Sequence, residues 1–357
     1  MDALLNHTPA ELRGHFAARG VERFRADQVL HWVCVRGVRE FGAMTNLSKL
    51  LRGALAEEWR TRSLEREASF EAADGTRKLV LLTRDHARIE SVLIPEERRQ
   101  TICVSSQVGC SLDCSFCATG RLGFGRNLEP GEIVDQILHA RELLAENEPD
   151  AELTNVVFMG MGEPLLNLRN VIRAIRLLID PSGFGISPRR ITVSTAGVAS
   201  KMAELGAAVP VRLAVSLHAT TDEVRDGLVP LNKRFPIAAL VEACARYPVA
   251  RRDRISFEYT LMRDVNDSPA DAKRLAGLAR AAGAKVNLIP LNEHPAAAYR
   301  RPDEDRVELF AEAVAACGVT ATVRRSRGSD IYAACGQLGT LGDTASGQAR
   351  RIPADTT

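Results

Sequence analysis

The strongest constraint on the fold is a regular alternation of short apolar runs with amphipathic segments, which begins near Thr101. The predicted strands are Ile102–Ser105, Asn155–Met159, Arg190–Ser194, Val211–Leu217, Ile255–Tyr259 and Lys285–Ile289, with a last one at Thr320–Val323. The predicted helices are Gly131–Glu146, Leu168–Ile179, Val198–Leu205, Pro236–Arg246, Asp271–Ala282 and Asp303–Cys317. Six such βα units predict an α/β protein with a parallel sheet, either open and doubly wound or an incomplete barrel.

The first 65 residues have a different pattern and are predicted to form a small helical domain. Thr8-Pro9-Ala10-Glu11 has a capping hydroxyl, a proline at the first helical position and a glutamate three residues on, as helix starts do. Next, Asp74-Gly75 lies between apolar runs, which predicts a β-hairpin. The predicted domains are therefore a helical domain 1–65, a β-rich extension 66–98, a βα region 99–339 and a disordered tail 340–357.

Charge and hydropathy exclude several classes of protein. The 47 basic and 45 acidic side chains give a net charge of +2, too even to indicate nucleic acid by itself. Arginine supplies 41 of the 47 basic side chains. The planar guanidinium group is suited to binding phosphates and bases, although GC-rich codon usage would give the same bias. No apolar run reaches the ~18–20 residues that a bilayer requires, and Met1–Gly20 lacks a signal-peptide pattern. We therefore expect a cytoplasmic protein without membrane contact.

Three cysteines lie close together directly after the first predicted βα strand. Cys110, Cys114 and Cys117 form a C-x3-C-x2-C pattern, and such crowding in a reducing compartment indicates metal or redox chemistry. Zinc sites usually have four protein ligands, but no fourth ligand is near, and His139 is expected on a helix surface. Three thiolates on a short loop fit three irons of a cubane, which leaves the fourth iron open for a substrate.

Polar and glycine-rich motifs follow four further predicted strands. They are Gly160-Met161-Gly162-Glu163-Pro164, Ser194-Thr195, Ser216-Leu217-His218 and Asn292. Taken singly, each is also consistent with a turn or a structural histidine. However, the carboxyl ends of barrel strands form the active face, so their repetition at equivalent strand ends predicts one shared pocket.

Together these motifs resemble the RlmN/Cfr family of radical S-adenosylmethionine RNA methyltransferases. The resemblance covers most of the chain, and Phe116 matches the aromatic residue usual before the last cysteine of the cluster motif. The sequence departs from the family's pattern at Ser329 and Tyr332, where many relatives carry acidic residues. The matching segments are Arg25–Gln28, Met44–Leu47, Cys103–Cys110, Cys117–Gly120, Gly123-Phe124, Arg126–Leu128, Met159–Asn167, Ser216–Ala219, Val229–Lys233, Asn287–Asn292 and Ala333–Leu338.

The resemblance implies a fold and a set of site residues. The fold would be a partial (β/α)6 radical-SAM barrel with a small helical N-terminal domain, which helps to hold RNA, and a β-rich extension. Cys110, Cys114 and Cys117 would hold a [4Fe-4S] cluster whose open iron binds S-adenosylmethionine. The residues implied to bind S-adenosylmethionine are Gly162, Glu163, Ser194, Ser216, Leu217, His218 and Asn292.

Three further residues acquire roles from the resemblance. Cys335 would carry the methyl group, Cys103 would be the resolving thiol, and Glu90 the general base. From the residues alone, Cys103 is a core residue, Cys335 a weak candidate nucleophile, and Glu90 a polar residue on the exposed face of a strand. The chemistry gives these roles a reason, because carbon 2 of adenine is electrophilic and cannot accept a methyl directly from a sulfonium.

The function implied is formation of 2-methyladenosine at position 2503 of 23S rRNA and position 37 of tRNA, through a methyl-cysteine and with two S-adenosylmethionine molecules per turnover. The alternative is Cfr-type methylation of carbon 8 of the same rRNA adenosine. The implied partners are these RNAs and an electron donor such as flavodoxin or ferredoxin, and we expect a monomer.

Two other classes stay open: a non-enzymatic zinc protein that binds RNA, and a radical enzyme acting on a protein or small molecule. Arginine clusters that would contact phosphates are Arg189-Arg190, Arg251-Arg252-Arg254, Arg300-Arg301 and Arg324-Arg325-Arg327.

Overall fold

The N-terminal region packs as a small helical unit closed by a two-stranded ladder. The computed structural model describes residues 1–97, 99–248, 255–295, 297–339 and 350–352. The first elements are β1 (Asp2–Ala3), α1 (Pro9–Ala18), α2 (Phe24–Leu30), α3 (Lys49–Glu58) and β2 (Trp59–Arg60). Helix α1 begins with the predicted capping box, in which the Glu11 N–H donates to Thr8 Oγ1 (3.3 Å) and the Thr8 N–H donates to the Glu11 carboxylate (2.8 Å). Strands β1 and β2 pair in parallel and join the two ends of this region.

Three antiparallel strands follow, and they belong to the same sheet as the barrel. They are β3 (Glu65–Glu71), β4 (Arg77–Leu82) and β5 (Arg88–Glu96). The predicted hairpin is present between β3 and β4, where Gly75 has a φ of 80°. Strand β5 pairs antiparallel with the first barrel strand, so the β-rich extension continues the central sheet.

The remaining elements form the predicted alternation of strands and helices. They are β6 (Arg99–Cys103), β7 (Gln107–Gly109), α4 (Ala118–Arg121), β8 (Phe124–Asn127), α5 (Pro130–Asn147), β9 (Asn155–Phe158), α6 (Leu168–Ile179), β10 (Ile191–Thr195), α7 (Ala199–Ala208), β11 (Arg212–Ser216), α8 (Asp222–Leu228), α9 (Ile237–Ala245), β12 (Ser256–Leu261), α10 (Pro269–Ala282), β13 (Lys285–Pro290), α11 (Glu304–Ala316) and β14 (Ala321–Val323). Helices α4 and α8 have no counterpart among the predicted helices.

The described strands form one large sheet with two small ladders beside it. Its order is β14-β13-β12-β11-β10-β9-β6-β5-β4-β3, and Arg350–Ile352 add a last strand, β15, beside β3. The strands from β14 to β6 are parallel to one another, and those beyond β6 pair antiparallel. Within the described residues β14 and β15 are edge strands, so the barrel is partial, as predicted.

Two further predictions concern the C-terminal tail and membrane-spanning helices. The tail 340–357, predicted to be disordered, lies outside the described residues except for Arg350–Ile352, which are in a strand. Among the residues described, no helix is both long enough and apolar enough to span a membrane.

Candidate active site

The carboxyl ends of the parallel strands surround one cavity, and most of the predicted site residues line it. Those residues are Cys110, Cys114, Cys117, Gly162, Glu163, Ser194, Ser216, His218, Asn292 and Cys335. Leu217, Cys103 and Glu90 do not line the cavity and are almost completely buried behind its wall. The structure therefore brings together residues that are more than 200 positions apart in sequence.

The three clustered cysteines lie on a loop whose backbone is tied down at both ends. The Cys110 N–H donates to Gly123 O (2.9 Å) and the Ser115 N–H to Leu228 O (3.1 Å). Burial raises the pKa of Cys110 to about 11, and the pKa of Cys114 is raised by burial and by the two neighbouring thiols. Backbone N–H groups of Gly120 and Thr119 lower the pKa of Cys117 and partly offset its burial. These N–H groups stabilise sulfur in its anionic form, which is the form that binds iron.

This donor set fits a cluster better than a single ion. No group of three or more His, Cys, Asp or Glu side chains among the described residues is placed to hold one metal ion. In a cubane each cysteine binds a different iron, so the three sulfurs do not have to meet at one point. Three thiols without a fourth protein ligand in the described part of the chain would also leave one iron of a cluster open to a small molecule.

Gly162 and Glu163 form a turn after β9 that only glycine permits. Gly162 has a φ of 95°, and a Cβ there would lie 2.5 Å from Gln107 Cβ. The turn buries the Glu163 carboxylate, which accepts hydrogen bonds from the N–H groups of Leu165 (2.9 Å) and Ala196 (2.7 Å). Burial is the largest influence on this group and raises the pKa of Glu163 to about 7. A carboxylate at the cavity wall is suited to accept hydrogen bonds from an ammonium group.

His218 is held in its neutral form at the end of β11. Its backbone adopts a left-handed φ of 58°, and its Nδ1 accepts a hydrogen bond from the Thr260 N–H (3.1 Å). The proton is therefore on Nε2, and the ring packs edge-on against Phe116 with centroids 4.8 Å apart. Burial, together with the nearby Arg225 cation, lowers the pKa of His218 to about 3. The ring thus acts as a neutral wall of the cavity over the physiological pH range.

The segment that carries Cys335 is fastened to both the cluster loop and the end of β13. The Ala118 N–H donates to Gly336 O (2.7 Å), and Thr119 Oγ1 donates to Leu338 O (2.6 Å). Asn292 Nδ2 donates to Cys335 O (3.0 Å), while the buried Asn292 Oδ1 has no protein partner among the described residues. A free acceptor at the cavity is what a bound polar ligand requires.

Cys103 is a buried residue of the first parallel barrel strand and does not line the cavity. It is the last residue of β6 and is only 6% exposed. Burial raises the pKa of Cys103 to about 12, and the Cys335 thiol adds to the rise. The family expectation that Cys103 and Cys335 form a reactive pair stays a prediction.

Glu90 is buried beneath the Cys335 segment. It is 6% exposed, so it is not a polar residue on an outer strand face. Its Oε2 accepts a hydrogen bond from the Gly339 N–H (2.9 Å), and its Oε1 lies 3.5 Å from Nζ of the equally buried Lys78. Burial is the largest influence and raises the pKa of Glu90, while Lys78 and the Gly339 N–H oppose it. A carboxyl with a raised pKa is a suitable acceptor for a proton.

The structure corrects the prediction for His139 and describes only part of the predicted arginine clusters. His139 is 1% exposed rather than on the surface, because its ring contacts Leu64 O (3.2 Å) between α5 and the N-terminal region. Of the arginine clusters, Arg251, Arg252 and Arg254 lie outside the described residues. Arg324 lines the active-site cavity instead of an outer face.

Comparison with known proteins decides the family. Residues 104–276 match the model of the Radical SAM superfamily, and residues 3–60 match the Ribosomal RNA large subunit methyltransferase N-terminal domain. The dual-specificity RNA methyltransferase RlmN of Syntrophotalea carbinolica is 50% identical over 94% of this chain and 89% of its own length. That of Geotalea uraniireducens is 48% identical over 93% and 95%. The chain belongs to the RlmN family.

A solved structure agrees with this assignment. A radical SAM methyltransferase from Sphaerobacter thermophilus has a TM-score of 0.89 and 45% identity, covering 95% of this chain and 99% of its own. The predicted fold class and the predicted membership of the RlmN/Cfr family are confirmed, and the relatives described above carry the RlmN name. This RlmN-family chain is a radical S-adenosylmethionine methyltransferase.

Two buried charged residues of the RlmN-family chain were not predicted from its sequence. Arg225 is fully buried and donates to four acceptors beneath the cavity: Leu217 O, Asn232 Oδ1, Ala196 O and Ser216 O. It thereby fixes the β10 and β11 ends. Lys78 is the other, and nothing in a single sequence separates it from a surface cation.

Proposed function

We propose that this chain forms 2-methyladenosine in RNA, at position 2503 of 23S rRNA and position 37 of tRNA. The observation that carries the proposal is that Cys335 lines the same cavity as Cys110, Cys114 and Cys117. A nucleophilic thiol beside a cluster site fits a methyl carrier that is first loaded and then activated. The names of the RlmN relatives support RNA as the substrate.

The cofactors proposed are a [4Fe-4S] cluster and two S-adenosylmethionine molecules per turnover. Cys110, Cys114 and Cys117 would hold the cluster, and the S-adenosylmethionine contacts would be Gly162, Glu163, Ser194, Ser216, Leu217, His218 and Asn292. When bound, these groups supply a methyl group and a 5′-deoxyadenosyl radical. Leu217 would contribute through its backbone, since its side chain is buried away from the cavity.

The protein residues then divide the remaining chemistry. Cys335 accepts the methyl group on its sulfur and later joins the adenine ring through that carbon. Glu90 takes the ring proton from carbon 2, since its carboxyl is tied by Gly339 to the segment that carries Cys335. Cys103 attacks the Cys335 sulfur, which releases the methylated base and leaves a disulfide that an external reductant must open.

The proposal also covers the oligomeric state, the location, the electron donor and the RNA contact of this enzyme. It acts as a monomer in the cytoplasm, and a low-potential protein of the flavodoxin or ferredoxin class supplies electrons. The N-terminal helical region helps to hold the RNA, which is consistent with its match over residues 3–60.

The test is an anaerobic reaction of cluster-reconstituted protein with S-adenosylmethionine, a reductant and either protein-free rRNA or tRNA. Mass spectrometry of the nucleosides should show 2-methyladenosine, and Cys335→Ala should abolish it. Cys317→Ala is the matched control, because Cys317 is half-buried at the end of α11, outside the cavity.

Each other outcome has a definite meaning. 8-Methyladenosine would reassign the chain to Cfr-type chemistry, and the two RNAs tested separately settle the substrate range. A colourless zinc protein without iron or sulfide would overturn the enzyme assignment. An intact cluster with no methylated adenosine in either RNA would overturn the substrate.

A further inference from the structure

Two large apolar side chains are exposed on the turn that joins α4 to β8. Leu122 is 48% exposed and Phe124 is 51% exposed, and every residue from Arg121 to Gly125 is exposed. Single exposed apolar side chains are ordinary, whereas a group of them beside a cavity is typical of a binding surface. We call Arg121, Leu122 and Phe124 together the rim surface.

The Leu122 end of the rim surface borders the active-site cavity. Leu122 directly follows α4 and comes three residues after Thr119, which lines the cavity. Its side chain also lies against Gly339, where an added Cβ would overlap Leu122 Cδ1. Because Gly339 directly follows the cavity residue Leu338, Leu122 adjoins the cavity wall through two separate parts of the chain.

The Phe124 end is held by the loop that carries the three cysteines. The N–H of Cys110, a cavity residue, donates to Gly123 O (2.9 Å). In the ladder of β7 with β8, Gly109 pairs with Phe124, and a Cβ added to Gly109 would overlap Gly123 O. The backbone under the Phe124 ring is therefore packed tightly against the cysteine loop.

The side chains of the rim surface have no partners that would explain their position. Among the described residues Phe124 makes no ring or cation contact. Phe24, which is 50% exposed, differs, because the Arg25 guanidinium lies over its ring at 4.7 Å from the centroid. The Arg121 guanidinium likewise makes no ion pair within the described part of the chain. An aromatic ring and a cation are thus both available beside the cavity.

RNA fits this surface better than other occupants do. A base that reacts in a cavity must first leave its stack, and proteins bind unstacked RNA by placing bases against aromatic side chains. An arginine next to the ring is suited to a backbone phosphate. A second copy of the chain would bury too little here, because an aromatic side chain contributes about 150–250 Å², whereas a specific interface needs about 1,000 Å².

We propose that Phe124 and Leu122 form a stacking platform for the base next to the reacting adenosine, and that Arg121 binds an adjoining phosphate. This inference rests on the proposed function, because it takes RNA as the substrate. The platform holds the strand at the cavity mouth while the adenine itself is inside. Phe124 therefore contributes to RNA binding through its aromatic face and Arg121 through its charge.

The test is the affinity of the cluster-reconstituted protein for protein-free tRNA, measured by fluorescence anisotropy at several salt concentrations. Phe124→Ala should bind about tenfold more weakly, as the loss of one stacked base requires, with an unchanged salt dependence. Phe124→Trp keeps an aromatic face and should bind within about threefold of the parent protein. Arg121→Gln should lower the slope of log affinity against log salt by about 1. Leu309→Ala is the matched control, because Leu309 is 62% exposed on α11, and it should bind as the parent does.

A second measurement reports stacking directly. Two tRNAs carry 2-aminopurine on one side or the other of the target adenosine, and the fluorescence of this base falls when it stacks. For one of the two RNAs, the complex with the parent protein should be darker than the complex with Phe124→Ala. An iron content equal to that of the parent shows that the variant is folded. If it is not, Phe124→Leu, which removes the ring but keeps an apolar side chain, replaces it in both measurements.

Several results would overturn the proposal. Parental affinity in Phe124→Ala would do so, as would equal 2-aminopurine fluorescence in the two complexes for both RNAs, and either result leaves the proposed function intact. Normal RNA binding with slower reduction of the cluster by flavodoxin would assign the rim surface to the electron donor, and a changed oligomeric state would assign it to a second copy. If the parent protein itself neither binds nor methylates RNA, the proposed function fails, and this inference with it.

Discussion

Replacing Lys78 by methionine tests whether Glu90 works as the base and whether Lys78 sets its working pH. Lys78 Nζ lies 3.5 Å from Glu90 Oε1, and both side chains are buried. At an effective dielectric constant of about 20, two unit charges at that distance attract by about 5 kcal/mol. Relaxation after the loss of the cation reduces this, and we take about 3 kcal/mol, the low end of the cost of removing one partner of a buried pair.

That energy converts directly into a shift of the pH profile. At about 1.36 kcal/mol per unit, the pKa of Glu90 rises by about 2 units in Lys78→Met. Because Glu90 must be ionised to accept the ring proton, the acidic limb of the rate should move up by the same amount. Below both pKa values the rate should then fall about 100-fold.

The assay is the rate of adduct decay and methylated-base formation between pH 5.5 and 9, starting from enzyme already methylated on Cys335. Lys273→Met, on the exposed face of α10, is the matched control and should keep the parental profile. An acidic limb that stays in place in a folded Lys78→Met enzyme would refute the reasoning, either because Glu90 is not the base or because Lys78 does not hold its charge.

Three further predictions concern the walls of the cavity. Gly162→Ala should lower the free energy of unfolding by about 3 kcal/mol in urea titrations, because Gly162 has a positive φ and a Cβ there would clash with Gln107. Gly123→Ala is the control: this glycine has open space around it, so the substitution should cost only about 1 kcal/mol. Equal losses would contradict the packing argument. Arg225→Met leaves buried acceptors unpaired and should cost about 3 kcal/mol or more by the same measurement, and a loss under about 1 kcal/mol would show that water replaces it. The pKa of His218 is lowered to about 3, so between pH 6.5 and 3 only the unfolded state binds this proton. As the pH is lowered through this range, the free energy of unfolding should decrease by about 1.4 kcal/mol per pH unit. His218→Gln should flatten that part of the profile, and parallel profiles for the two proteins would argue against a buried neutral ring.

The parts of the fold that follow from local pattern were predictable. Helix α6 begins and ends where its apolar periodicity does, at Leu168 and Ile179, because one face packs on the sheet and the other meets solvent. The strand-end motifs were predictable for a related reason, since parallel strands place their carboxyl ends at one edge.

Helix α5 shows why periodicity fails for other residues. Its apolar face packs on the sheet, but its polar face is covered as well, so that Asp135, Gln136 and His139 are all buried. Asp135 Oδ2, for example, accepts hydrogen bonds from the N–H groups of Ser63 (2.6 Å) and Leu64 (2.8 Å). A single sequence shows which face is apolar and does not show that a second surface covers the other.

The charged residues of the site were unpredictable for an energetic reason. Lys78, Arg225 and Arg324 would ordinarily lie on the surface, because burying an isolated charge is costly. Two of them are tolerated here because distant parts of the chain supply compensating groups: Glu90 for Lys78 and four oxygen acceptors for Arg225. The resemblance to a family implied a set of reacting residues but not the buried cations of the site.

The bond between Thr119 and Leu338 joins positions 219 residues apart. On a ribosome, the cysteine loop therefore emerges long before the segment that closes one side of its cavity. Until that segment arrives, the loop lacks the partners of Ala118 and Thr119 that hold it in place. The cysteine loop is thus fully fastened only in the finished chain, and we expect iron loading to follow synthesis.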